Sequence, residues 1–184
     1  LILTEGDSAK SGVVSGLTKD DRNYIGVFPL RGKLLNSLNV GQEKINNNAE
    51  ITNIKKIMGL RTGKTYKNKT DALKDLRYGQ ICFLTDQDLD GTHIKGLCMN
   101  LFSSQWEDLF KMNNFLGYMN TPILKAKKGK KEISFYNEND YEKWKSKNDD
   151  GKGWKVKYYK GLGTSSSTEF KEYFKHKKII SFKH

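Results

Sequence analysis

FLTDQDLDGTH, residues 83–93, sets Asp86, Asp88 and Asp90 two residues apart directly after an apolar run. Three carboxylates at that spacing repel one another unless a positive charge sits among them, and a bound divalent cation suits that place best. The stretch is a candidate metal site, and the run before it, QICFLT (80–85), is almost continuously apolar, as strands covered on both faces are.

The opening of the chain repeats this arrangement. LILTEGDSAKSG (1–12) ends an apolar strand with Glu5, followed by Gly6, which allows close backbone approach, and by Asp7 and Ser8, which can cap a helix. GVFPL (26–30) and WKVKYY (154–159) also read as strands. Between them, Gln42–Met58 carries apolar residues at helical spacing, TDALKDLRYG offers Thr70 as N-cap with Gly79 after its end, and 92–112 has a wide apolar helical face. Strands alternating with helices predict an α/β fold with a mainly parallel sheet, whose ligands bind beyond the carboxyl ends of the strands. Glu5 and the aspartates then share one edge. After Pro122 the pattern changes to two strand-like runs joined by a basic turn, a short helix around DYEKWK and a polar loop, SKNDDGKG, which places a boundary near residue 121.

The chain has 184 residues, 11% aromatic, and a net charge of +12. It is long enough for a real core and too aromatic for a disordered tail. No apolar stretch approaches the roughly 18 residues of a membrane span, and the first residues lack a basic, cleavable leader. A strand already under way at the start, and KHKKIISFKH at the end without a stop signal, read as a piece of something larger. Cys82 and Cys98 lack CxxC spacing, so neither a disulfide framework nor a zinc site is expected, and a reducing compartment fits. The positive charge points to a polyanion, nucleic acid before an acidic membrane surface, or else to a merely lysine- and asparagine-rich composition.

Three chemistries compete for the aspartates. An EF-hand loop opens DxDxDG in the same way, but its twelfth position, where a bidentate glutamate belongs, is Leu97, and a strand precedes it. A haloacid-dehalogenase-type phosphatase would use DLDGT (88–92) with Asp88 as nucleophile and Asp90 as acid/base, yet Thr85, Asp86 and Gln87 separate Asp88 from the strand; its acidic partners would be Asp149 and Asp150. A glutamate opposite the aspartates instead suits metal-assisted phosphoryl transfer, in which the cation neutralises phosphate charge and the extra carboxylate handles a proton.

EGDSA (5–9), PLRGK (29–33), TDQDLDGTHIKGL (85–97) and YYKGLGTS (158–165), in this order and spacing, resemble the Toprim region of type IIA DNA topoisomerases, with DQD and KGLGTS closer to the eukaryotic-type enzymes. The resemblance spans essentially the whole chain. It implies a Toprim (Rossmann-like) α/β core over 1–121, with a mainly parallel sheet flanked by helices, and a basic α+β extension over 122–184. It implies Glu5 as general acid/base and metal ligand, with Asp86, Asp88 and Asp90, Asp90 the outer ligand, holding Mg2+, for which Mn2+ or Ca2+ can substitute in binding. The reaction implied is a reversible transesterification of double-stranded DNA, in which a tyrosine becomes linked to the 5′ end and releases a 3′ hydroxyl.

Arg31, Lys33, Asn36, Lys160 and the Gly161 backbone are the implied DNA contacts; their alternative is an ordinary solvated basic loop and a glycine-rich turn. His93 and Lys95 stay unassigned. In the family the tyrosine lies in a later winged-helix domain and acts on the opposite subunit of a homodimer, while ATP belongs to a separate, earlier ATPase domain. This chain alone is therefore expected to be inactive, and Tyr78, after Arg77, is expected to be structural. A nuclear location and no membrane partner complete the expectation; a dehalogenase-like phosphatase, or a stand-alone Toprim nuclease or primase-like protein, is the alternative.

Overall fold

In the structure, a computed structural model describing residues 1–182, the elements run β1 (Ile2–Glu5), α1 (Gly6–Gly16), α2 (Asp21–Tyr24), β2 (Val27–Leu30), α3 (Gln42–Asn46), α4 (Ala49–Met58), α5 (Lys69–Asp75), β3 (Ile81–Leu84), α6 (Leu89–Gln105), α7 (Glu107–Lys111), β4 (Leu116–Met119), β5 (Leu124–Lys128), β6 (Lys131–Phe135), α8 (Glu138–Lys147), β7 (Lys155–Tyr158), α9 (Ser167–His176) and β8 (Ile179–Ser181). β1 to β4 form a parallel sheet in the order β2-β1-β3-β4, and β8 adds an antiparallel edge beside β4. This is the mainly parallel α/β sheet that the alternation of strands and helices predicts.

The apolar runs that open β1 and fill β3 follow from burial on both faces. Leu3, Ile81 and Phe83 face a core completed by α3 to α7. Ile2, Cys82 and Leu84 face a second core, where Ala9 and Val13 of α1 meet Phe170, Tyr173 and Phe174 of α9. Because side chains alternate along a strand, each run fills both layers at once. Cys82 and Cys98 are free and buried, and burial pushes both thiols up. Among the described residues no helix is long and apolar enough to cross a membrane.

Several local expectations are corrected. The helix expected over 42–58 is two helices, because Asn48 caps the second: its Oδ1 accepts the Ile51 N–H at 3.0 Å. α5 is capped by Asn68, not Thr70, with the Asp71 N–H 2.9 Å from Asn68 Oδ1, and it ends at Asp75, four residues before Gly79. The helix expected over 92–112 starts earlier, at Leu89, and breaks at Trp106 (φ −146°, ψ 67°), whose indole N–H is held by the Arg61 carbonyl at 2.9 Å. Neither Asp7 nor Ser8 caps α1; the chain turns from β1 into α1 through Gly6 at φ +77°, a conformation glycine adopts without steric cost. WKVKYY is not part of the parallel sheet.

That last strand, β7, pairs instead with the β5–β6 hairpin in an antiparallel sheet of order β6-β5-β7. Tyr141 and Trp144 of α8 pack on Phe135 and Trp154 beneath it. The stretch after residue 121 thus supplies this second sheet and also, through α9 and β8, two elements of the first layer.

Candidate functional site

Three strand ends converge on the acids. In register, Glu5 lies opposite Leu30, so the chain after β2 emerges beside it as Arg31–Gly32–Lys33; Thr4 lies opposite Leu84, which places Asp86 just beyond the neighbouring strand end. The second layer closes the fourth side. The backbone N–H of Leu162, in the turn after β7, donates to Asp86 Oδ1 at 2.7 Å.

Each aspartate has a distinct environment. Asp88 is the N-cap of α6, with Oδ1 accepting the Gly91 N–H at 2.8 Å. Asp90 is exposed in the first turn of α6, and its Oδ1 pairs with Lys33 Nζ at 2.9 Å, which holds its carboxyl below the usual range. Asp86 is half-buried between two glycines: a side chain at Gly91 would collide with the Asp86 carbonyl, and a Cβ at Gly161 would lie 2.5 Å from Asp86 Oδ2.

Glu5 faces all three. Its Oε2 is buried without a hydrogen-bond partner. Burial, then the negative charges of Asp86, Asp88 and, more weakly, Asp90, hold its carboxyl above the ordinary range, against an opposing hydrogen bond with the Asp86 backbone. The consequence for stability has a definite sign. With the folded value above the unfolded one of about 4.5, the folded state binds more protons through that window, so Glu5 makes stability fall as pH rises through it. In chelator-treated protein, thermal unfolding against pH should therefore show Glu5→Gln gaining on the wild type as pH climbs from 4 through the raised value, then running parallel; curves parallel throughout would contradict it.

Among the described residues no three carboxylate, imidazole or thiol groups converge as a ready-made metal cage, because each aspartate is turned toward a protein donor. The residues nonetheless fit a hard divalent ion. All donors are oxygens, Glu5 offers a buried oxygen without a partner, and Mg2+ characteristically takes only one or two carboxylates and keeps its waters.

Of the expected DNA contacts, Arg31, Lys33 and Asn36 are exposed on the segment leaving β2, and Lys160 is exposed before the Gly161 turn. Asn36 is not one helical turn beyond Lys33, because 31–41 is irregular; its Oδ1 accepts the Leu38 N–H at 3.2 Å. Of the unassigned pair, His93 is exposed, whereas Lys95 is half-buried 4.8 Å from the Tyr118 ring centroid. Burial lowers its pKa, and the charge of Asp88 opposes that fall. Tyr78 is packed on the first core at the opposite, amino end of the sheet, beside Leu1 and Gln80. The donation from Leu162 and the steric demand at Gly161 escaped sequence reading, although the KGLG turn was its signal.

Two older alternatives fail on this geometry. A strand, not a helix, precedes the acidic loop, which excludes an EF-hand. Asp88 sits at a helix cap with its carboxylate engaged, not at the strand end where a dehalogenase-type nucleophile stands.

A parallel sheet with a glutamate ending one strand and an aspartate-rich turn ending its neighbour defines a Toprim-type α/β domain. The chain belongs to the Toprim family: the Toprim domain model matches residues 1–117, and the model of the C-terminal associated domain of TOPRIM matches 119–184. It is 54% identical to DNA topoisomerase 2-alpha of Rattus norvegicus over 186 aligned positions, covering 100% of this chain and 12% of that protein. It is also 54% identical to DNA topoisomerase 2 of Acanthamoeba polyphaga mimivirus, covering 95% and 14%. The solved DNA-binding, cleavage and re-ligation domain of Plasmodium falciparum topoisomerase II superposes with a TM-score of 0.90 at 47% identity, over 99% of this chain and 25% of that one. The chain is thus homologous to the Toprim region of DNA topoisomerase 2 and spans a small part of such relatives.

Proposed function

We propose that this chain is the metal-binding part of the DNA cleavage and religation centre of an ATP-dependent type II DNA topoisomerase. The observation that carries the reading is the buried, unpartnered Glu5 oxygen facing three aspartates at adjoining strand ends. Glu5, Asp86 and Asp88 hold Mg2+, with Asp90 as outer ligand; Mn2+ or Ca2+ can replace it in binding. When bound, the ion supplies positive charge against the attacked phosphate and the departing oxygen. Glu5 acts as general acid/base at the 3′ oxygen.

Arg31, Lys33, Asn36 and Lys160 hold phosphate oxygens of double-stranded DNA, with the Gly161 backbone beside them. A tyrosine from the second subunit of a homodimer serves as nucleophile, ATP is used by a separate domain, and the site of action is the nucleus; these parts of the reading rest on the similarity to animal DNA topoisomerase 2.

The test is the salt dependence of DNA binding by the chain. Each phosphate contact adds about 0.9 to the slope of log affinity against log salt. Arg31→Ala with Lys33→Ala should weaken binding equally on unrelated sequences and flatten that slope by about 1.8. An unchanged slope, or a loss confined to one sequence, would refute the phosphate track.

A further inference from the structure

The glycine at 161 is not explained by its backbone. Its φ of −176° and ψ of 176° are extended angles that any residue adopts. What forbids a side chain is the Asp86 carboxylate: a Cβ would lie 2.5 Å from Oδ2, 2.9 Å from Cγ and 3.0 Å from Oδ1. Gly163, two residues on in the same turn, would meet nothing within 4 Å. The turn therefore presses bare backbone against one carboxylate, and its next N–H, from Leu162, donates to Oδ1 at 2.7 Å. Oδ1 is thus engaged by the protein, and Oδ2 is the oxygen left for another partner.

The turn is itself anchored. The Leu162 side chain is buried in the core shared with Phe170 and Phe174 of α9. Thr164 Oγ1 donates to the Gly161 carbonyl at 2.7 Å, and the Ser165 and Tyr173 hydroxyls lie 3.1 Å apart. A carboxylate otherwise free to rotate is held by an element fixed to α9.

We propose that the Gly161–Leu162 turn is a positioning element for metal binding: its N–H orients the Asp86 carboxylate, and its missing side chain leaves Oδ2 free for the cation. The inference rests on the reading of Asp86 as a metal ligand and adds that the C-terminal part of the chain is needed to complete the metal site. Groups that orient a ligand in this way are typically worth about 10–100-fold in metal affinity.

The experiment is a Mg2+ titration of the chain, followed by calorimetry and by thermal unfolding, on the wild type, Gly161→Ala and Gly163→Ala. The expected result is an affinity at least about tenfold weaker in Gly161→Ala, with Gly163→Ala matching the wild type and all three sharing one far-ultraviolet spectrum without metal. A wild type that responds while Gly161→Ala responds at the same concentrations overturns the positioning role and leaves the metal reading intact. A wild type with no response overturns the metal reading, and this inference with it. Should Gly161→Ala not fold, the backbone amide of Leu162 is replaced by the corresponding ester, which removes the N–H and adds no atom at the carboxylate. Weaker Mg2+ binding by the ester than by the wild type supports the proposal; equal binding overturns it.

Discussion

Replacing Phe170 by alanine is expected to cost about 3–5 kcal/mol of folding stability, the range for a fully buried aromatic truncated in a packed core. Phe170 is 1% exposed and seats α9 on α1, its ring lying where a side chain at Gly12 would be and its backbone where one at Gly16 would be. The reciprocal change should also be severe. An alanine Cβ at Gly16 would stand 2.6 Å from Phe170 Cβ and 2.8 Å from its carbonyl carbon, so α9 must move as a body, and overpacking of this kind costs about 1–3 kcal/mol or more. For a chain of this size about 4 kcal/mol corresponds to a fall in melting temperature on the order of 10 °C. Urea unfolding checks both variants: a lower midpoint at unchanged slope is expected, whereas a loss under about 1 kcal/mol for Phe170→Ala would show that α9 is not part of the cooperative core.

The same seam shows what could be read from the sequence and what could not. β1 and β3 were legible because strands buried on both faces must be apolar throughout, and the acids at their ends by type and spacing. β4 and β8 were not, since Gly117 interrupts the apolar run of β4, and Ile179–Ser181, three residues long, is a strand only because it pairs with β4. α9 had left a signal, as Ser166 and Glu169 form a reciprocal capping box ahead of Phe170, Tyr173 and Phe174. The run Asn46–Asn48 was punctuation within what looked like one long helix, because Asn48 supplied a cap. In the site, Glu5 and the aspartates could be named in advance. The Lys33–Asp90 pair and the Leu162 donation to Asp86 could not, because they exist only once segments distant in the chain are brought together.

The second large effect concerns the carboxylates themselves. Asp86→Asn with Asp88→Asn should leave the fold standing, since asparagine caps a helix about as well as aspartate and can still accept the Gly91 N–H. It also removes two of the charges that press on Glu5, so the metal-free variant should be at least as stable as the wild type near neutral pH. The metal response should be lost. An ion that binds only the folded state stabilises it by about 1.4 kcal/mol at ten times Kd and about 2.7 kcal/mol at a hundred times, a rise of several degrees in a chain of this length. Mg2+ titrated into both proteins during thermal unfolding therefore tests the central claim directly: the wild-type melting temperature should climb and saturate while that of the double variant stays flat, and an identical response from the two would show that these aspartates do not hold the metal.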